Sequence, residues 1–203
     1  IRDFSIPADP FEDLLSAFEQ DQRVHEYQTY DQLLDYCRRS ANPVGRVVLI
    51  LFGLATPEFV KGSDSICTGL QLANFWQDVS RDLDKGRVYL PTEDLQRFGY
   101  SRDELLRKHT TPAFLELMQF EVERTRPLLR PWFEESIIGS RPMSFRMQVE
   151  ITLFAKGGLK VLERIEQIGY RVLEQRPVLR KWDYVTLLCR TIWRTWKKRM
   201  FRR

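Results

Sequence analysis

At 203 residues, 43% hydrophobic and 30% charged, the chain has a soluble globular composition and length enough for a hydrophobic core. No apolar run approaches the roughly 20 residues of a membrane-spanning helix, and the opening IRDFSIPADP holds no secretory h-region. The net charge of +4 is concentrated in Arg190, Arg194, Lys197, Lys198, Arg199, Arg202 and Arg203, with no acid among them; the body is net acidic, which speaks against nucleic acid as a partner.

The helical period of apolar residues dominates. Phe11 to Gln20 sets Phe11, Leu14, Leu15 and Phe18 on one face, and Thr29 to Ser40 does the same with Leu33, Leu34 and Cys37, with Thr29 placed to cap. Pro43 and Gly45 interrupt or kink, and Val47 to Leu54 continues as an apolar segment. Thr56-Pro57-Glu58 is a helix start, Gly62 is expected to end that short element, and Ser63 or Ser65 opens the next, which stops at Gly86. Pro112 to Arg126, Pro142 to Gln167 (with a weak point at Gly157-Gly158) and Trp182 to the end complete the list. No βαβ alternation or repeat appears, so residues 1–203 are predicted to form one all-α domain.

Cys37, Cys67 and Cys189 are widely separated, forming neither a disulfide framework nor a zinc spacing, which points to a reducing cytoplasm. His25 and His109 make no metal-ligand pair and read as surface or capping residues.

The chemistry concentrates in QLANFWQDVSRDLDKGRVYLP. Asn74, Asp78 and Asp82 recur every four residues and so project from one helix face, which extends back to Gln71 and Cys67, beside an apolar flank of Leu72, Phe75, Val79 and Leu83. Two carboxylates one turn apart repel, and a hard cation such as Mg2+, which bridges carboxylates to substrate phosphates, resolves the repulsion. A bare DxxxD is more often a solvated acidic face, and Asp31 and Asp35 share the spacing. The neighbours distinguish the second case: Arg87 follows a helix-ending glycine and is placed to meet a phosphate, Tyr89 follows, and Pro91 fixes the exit.

This stretch resembles the second aspartate-rich motif of squalene and phytoene synthases. Gln71, Asn74, Asp78, Asp82, Arg87, Tyr89 and Pro91 match that pattern in order and spacing. Upstream, YCRRSANPVGRVVL resembles the family through Tyr36, Cys37, Ala41, Val44 and Gly45; Asp21, Tyr27 and GYRVLEQRPVLRKW are softer matches. The sequence departs at Gln77, where the family commonly has Arg, and at Asn42 and Pro43. Ser-Ala-Asn-Pro-Val-Gly with Phe-Trp-Gln-Asp is most similar to the hydroxysqualene synthases of bacterial hopanoid pathways.

The resemblance implies an isoprenoid-synthase-type helical bundle, of which this chain is expected to be the C-terminal two-thirds. The family has a first aspartate-rich motif on an earlier helix, and no DDxxD-like stretch precedes Asp21. The expectation is therefore a chain without its N-terminal helices, holding half the metal site and inactive alone. The implied reaction is Mg2+-assisted ionisation of presqualene diphosphate with a water quench to hydroxysqualene. Asp78 and Asp82 are expected as metal ligands, Asn74, Gln71 and Arg87 as substrate-binding residues, Tyr36 in the cavity wall and Tyr89 orienting the leaving group; core packing is the plainer role for Phe75 and Trp76. The alternatives are head-to-head prenyl transfer from farnesyl or geranylgeranyl diphosphate, a hydride quench by a nicotinamide to give squalene, or a non-catalytic helical membrane-surface module. The tail RTIWRTWKKRMFRR gathers Ile192, Trp193, Trp196 and Met200 on one side of a basic helix, the pattern of peripheral contact at the inner face of a membrane.

Overall fold

The structure is a computed structural model that describes residues 6–129 and 143–200, without the side chains of residues 198 and 199. Its elements are α1 (Asp9–Gln20), α2 (Tyr30–Ser40), α3 (Asn42–Leu51), α4 (Pro57–Asp84), α5 (Thr92–Arg97), α6 (Arg102–Leu106), α7 (Pro112–Thr125), a 3-10 turn (Arg126–Leu129), α8 (Phe145–Gln167) and α9 (Lys181–Met200). No strand forms among the described residues; one parallel bridge, Glu26 to Val88, is the sole extended pairing there. The expected all-α architecture is what the described residues adopt. Among the described residues no helix is long and apolar enough to cross a membrane.

α4 is the central element, packing against α2, α3, α7 and α8. Thr56 caps it, its hydroxyl accepting from the Phe59 N–H, and Pro57 occupies the first turn, where a missing N–H costs nothing. Its buried side chains, Ile66, Leu72, Phe75, Trp76 and Val79 among them, join the core with Leu33, Cys37, Phe114, Leu117, Met118, Val122, Leu162 and Ile165. Trp76 is fully buried, and its indole N–H donates to Thr125 Oγ1 at 2.9 Å, so it is a core residue with its polar handle satisfied.

Several boundaries differ from expectation. Gly62 ends nothing: α4 runs unbroken through it, and Gly62 is buried. A helical glycine costs about 1 kcal/mol relative to alanine, less than packing along 28 residues contributes. α8 likewise runs through Gly157-Gly158. A Cβ on Gly158 would lie 2.8 Å from Leu129 Cδ1 and 3.0 Å from Leu70 Cδ2, so this glycine permits close approach to α4 and the 3-10 turn. Gly45 does the same for α3, its absent Cβ falling 2.2 Å from Ser63 Oγ. Pro43 sits in the first turn of α3 and does not interrupt it. α5 and α6 were not anticipated. Pro142 lies outside the described residues.

Candidate active site

The C-terminal end of α4 and the loop after it are built together. Gly86 adopts φ +71, a left-handed conformation that suits glycine, and the Arg87 N–H returns to the Asp82 carbonyl at 2.8 Å, closing the helix. The loop then runs beside residues 25–28: the Val88 N–H donates to the His25 carbonyl at 2.7 Å, and the Thr92 N–H to the Tyr27 carbonyl at 2.9 Å. This pairing presses Tyr89 onto Phe75, ring centroids 3.7 Å apart, and the stack continues to Tyr36 and Tyr27.

Tyr36 is therefore 4% exposed inside an aromatic cluster. Burial raises its pKa, and a hydrogen bond with Asp21 adds to the effect. Burial also raises Tyr89, against the neighbouring Arg87. Both phenols stay protonated at neutral pH and act as O–H donors rather than bases. Asp21 lies near enough to Tyr36, Tyr89 and Arg87 to influence all three, which gives its softer sequence match a physical place.

The two carboxylates of the line have different surroundings. Arg176, just beyond α8, grips Asp78 with both arms: Nε donates to Oδ1 at 2.6 Å and Nη2 to Oδ2 at 3.0 Å. That fork holds the Asp78 pKa below its ordinary value. One residue earlier on α4, buried Gln77 donates from Nε2 to the Pro177 carbonyl at 2.6 Å, so two consecutive α4 residues hold the 176–177 segment. Asp82 is raised, chiefly by burial and further by Asp78, with Lys85 3.6 Å away as a partial counter-ion. Asp82, Arg87 and Tyr89 line one small pocket with Phe75. Asn74 is exposed one turn before Asp78, and Gln71 is half-buried a turn further back.

Asn74, Gln77, Glu150 and Arg176 are the amide and charged residues lining a cavity of about 750 Å³. The rest of its wall is mostly apolar: Leu70, Ala73, Leu153, Phe154, Val161, Val178, Leu179, Leu187 and Leu188. A cavity of this size suits a small molecule with a long apolar body. The structure thus brings Asn74, Asp78, Asp82, Arg87 and Tyr89 into one continuous strip, keeps Tyr36 behind it in the aromatic stack, and sets Gln71 at its far end. Sequence reasoning missed Arg176 and the role of Gln77. The signal for the first lay within GYRVLEQRPVLRKW, but only the fold shows which arginine meets α4.

Oxygen donors in this arrangement fit Mg2+. Two carboxylates and an amide share one face, and Asp78 already attracts a cationic group. Among the described residues no three metal-ligating side chains cluster. The chain therefore offers the one or two carboxylates with which Mg2+ is commonly held when water and phosphate complete the shell.

Residues 1–183 match the squalene/phytoene synthase family model. A 15-cis-phytoene synthase of Synechocystis is 32% identical over 187 residues, 85% of this chain and 54% of that protein. A hydroxysqualene synthase of Rhodopseudomonas palustris is 32% identical over 167 residues, 79% of this chain and 55% of that protein. The crystal structure of a squalene synthase from Alicyclobacillus acidocaldarius superposes with a TM-score of 0.78 at 38% identity, covering 84% of this chain and 63% of that one. The chain spans little more than half the length of these two curated relatives.

Proposed function

Because the chain belongs to the squalene/phytoene synthase family, we propose that it supplies one wall of a prenyl diphosphate site, and that the reaction is ionisation of presqualene diphosphate with water capture to hydroxysqualene. The observation that supports this reading is the apolar cavity of about 750 Å³ bordered by Asn74, Gln77 and Arg176, next to the Asp78–Asp82 strip and the Arg87–Tyr89 loop.

In this reading the hydrocarbon lies among Leu70, Leu153, Phe154 and Val161, and the diphosphate meets the α4 strip. Asp78 and Asp82 would hold Mg2+, with Asn74 placed to add an amide oxygen and Gln71 bordering the strip. Bound there, Mg2+ supplies charge neutralisation to the departing diphosphate. Arg87 faces the same anion, and the protonated Tyr89 hydroxyl donates to it. The carbon–oxygen bond breaks with its electron pair on diphosphate. The carbocation rearranges within the apolar wall, water adds its oxygen to carbon, and the proton lost from that water passes to solvent or diphosphate. Tyr36 acts from behind, positioning Tyr89 and Phe75 through the stack rather than touching substrate.

The equal 32% identity to a phytoene synthase supports a second reading, head-to-head prenyl transfer from farnesyl or geranylgeranyl diphosphate. Mass-spectrometric product analysis of the full-length protein with each diphosphate, with and without a reduced nicotinamide, tests both. Hydroxysqualene from presqualene diphosphate is expected. Phytoene from geranylgeranyl diphosphate, or presqualene diphosphate as the end product from farnesyl diphosphate, would replace the first reading by the second. Squalene formed only with the nicotinamide would replace the water quench by hydride.

A further inference from the structure

The last helix is dressed inside out. On α9, Thr191 and Thr195 are buried, and Asp183 is pinned to Arg164 at 2.7 and 2.8 Å. Trp182, Val185, Ile192, Trp193, Trp196 and Met200 instead stand 42–77% exposed. At 3.6 residues per turn these six fall within an arc of about 100°. Exposed Arg190, Arg194 and Lys197 run along one flank of that arc, the Lys197 ammonium 5.2 Å from the Trp193 ring. No acid occurs from Arg190 to Arg203.

Single exposed apolar residues are ordinary, whereas a contiguous stripe with three tryptophans marks a surface made for a partner. Charge selects which one. Two copies of this face would bring two dense groups of like charge together. An anionic bilayer answers both parts: its headgroups attract the basic flank, and its headgroup–acyl boundary takes up tryptophan, whose ring is apolar and whose N–H is polar. We propose that α9 seats the protein on an anionic phospholipid bilayer, with the tryptophan arc at the headgroup–acyl boundary.

The seat adjoins the cavity. Tyr184, Leu187 and Leu188 of the same helix line the cavity of about 750 Å³. A helix that rests on lipid is thus also a cavity wall, and a hydrocarbon passes between bilayer and cavity past this one element. That route rests on the proposed function; the seat does not.

The test uses the full-length protein and sedimentation with vesicles of phosphatidylcholine, alone or mixed with phosphatidylglycerol. Strong binding to the anionic vesicles at low salt and weak binding to the neutral ones is expected. Arg190→Gln with Arg194→Gln and Lys197→Gln should weaken it roughly 100-fold, at about a fivefold factor per charge near the surface. Trp193→Glu with Trp196→Glu should weaken it at least tenfold, with an unchanged circular dichroism melt showing that the fold survives. Equal binding to neutral vesicles, or wild-type affinity in both variants, overturns the seat. So does a dimer in sedimentation velocity that the tryptophan variant breaks while vesicle binding persists, since the arc is then a contact between copies. Vesicle binding that needs α9 in a protein making no isoprenoid product would keep the seat and remove the proposed reaction.

Discussion

Arg176 occupies the approach that a cation needs to reach Asp78, so removing it should tighten metal binding rather than weaken it. The fork has two parallel N–H···O contacts at 2.6 and 3.0 Å, which puts the charge centres roughly 4 Å apart. At an effective dielectric near 20 the attraction is about 4 kcal/mol. Asp78 and Arg176 keep 25% and 33% of their side-chain surface exposed, so solvent screening and desolvation reduce the net value to about 1–2 kcal/mol. A metal displacing Arg176 must overcome that amount. Arg176→Ala in the full-length protein should therefore raise Mg2+ or Mn2+ affinity roughly 5- to 30-fold in the absence of substrate. Isothermal titration calorimetry reads the magnesium arm and electron paramagnetic resonance the free manganese. Arg176→Lys, which keeps the charge without the fork, should fall between. Binding of inorganic pyrophosphate with the metal should move the other way and weaken, because the displaced guanidinium is no longer present beside the cavity. Unchanged or weaker metal affinity in Arg176→Ala would refute the competition, and an unchanged pyrophosphate affinity would refute the transfer of Arg176 to the anion.

The other expected outcomes concern charge as well. Asp78→Asn and Asp82→Asn should both abolish turnover in the full-length protein, but their melts should diverge. Asp78→Asn loses a stabilising partner and melts lower, whereas Asp82→Asn removes a charge that burial disfavours and melts slightly higher near pH 8; equal shifts in calorimetry would contradict the assignment. Arg87→Ala should weaken pyrophosphate binding more than Arg102→Ala, since the Arg102 guanidinium is committed to an ion pair with Glu26; equal titration curves would leave the Arg87 loop without a special role. Glu121, fully buried, is pushed up to about 8 by desolvation, which outweighs the hydrogen bonds it accepts from Arg124. The folded chain then holds a proton that the unfolded chain has released above its ordinary 4.5, so stability present below that value should fall as pH rises toward 8. Glu121→Gln should flatten the pH dependence of the melting temperature between pH 5 and 8, and a wild-type slope in that variant would show that Glu121 stays ionised.

Local periodicity made part of this site readable. A four-residue spacing puts Asn74, Asp78 and Asp82 on one face whatever surrounds the helix, and Gly86 before Arg87 marks the helix end through glycine's freedom at positive φ. The same locality explains the errors. Gly62 read as a stop because its cost is local, while the packing of α4 that outweighs it comes from α2, α3, α7 and α8. The capping box Ser101–Glu104 was present as a sequence signal for α6, yet the helix has only five residues and little periodicity to join it. The Asp78–Arg176 pair links positions 98 apart, beyond any pattern read along the chain.

Glu121 and α9 show the harder limit. Glu121 falls three or four places from Leu117, Met118 and Thr125, so spacing puts it on the buried face of α7, but its charge suggests solvent. Arg124 comes in beside it, shared with Asp94 and stacked 3.6 Å from the Tyr30 ring, while burial raises the Glu121 pKa and favours the neutral acid. In α9 the polarity rule would turn tryptophan inward and threonine outward, and the fold does the reverse. Periodicity identifies the two faces of a helix; it does not say which of them the body keeps. Asp183, through its double contact with Arg164 and the bond from the Arg180 N–H, anchors the start of α9. Buried Asp183, Thr191 and Thr195 together face the body, and their mean direction lies opposite that of Trp182, Trp193 and Trp196. The exposed arc is therefore set by these three inward positions together, and a partner that covers it has to accept tryptophan and basic side chains together.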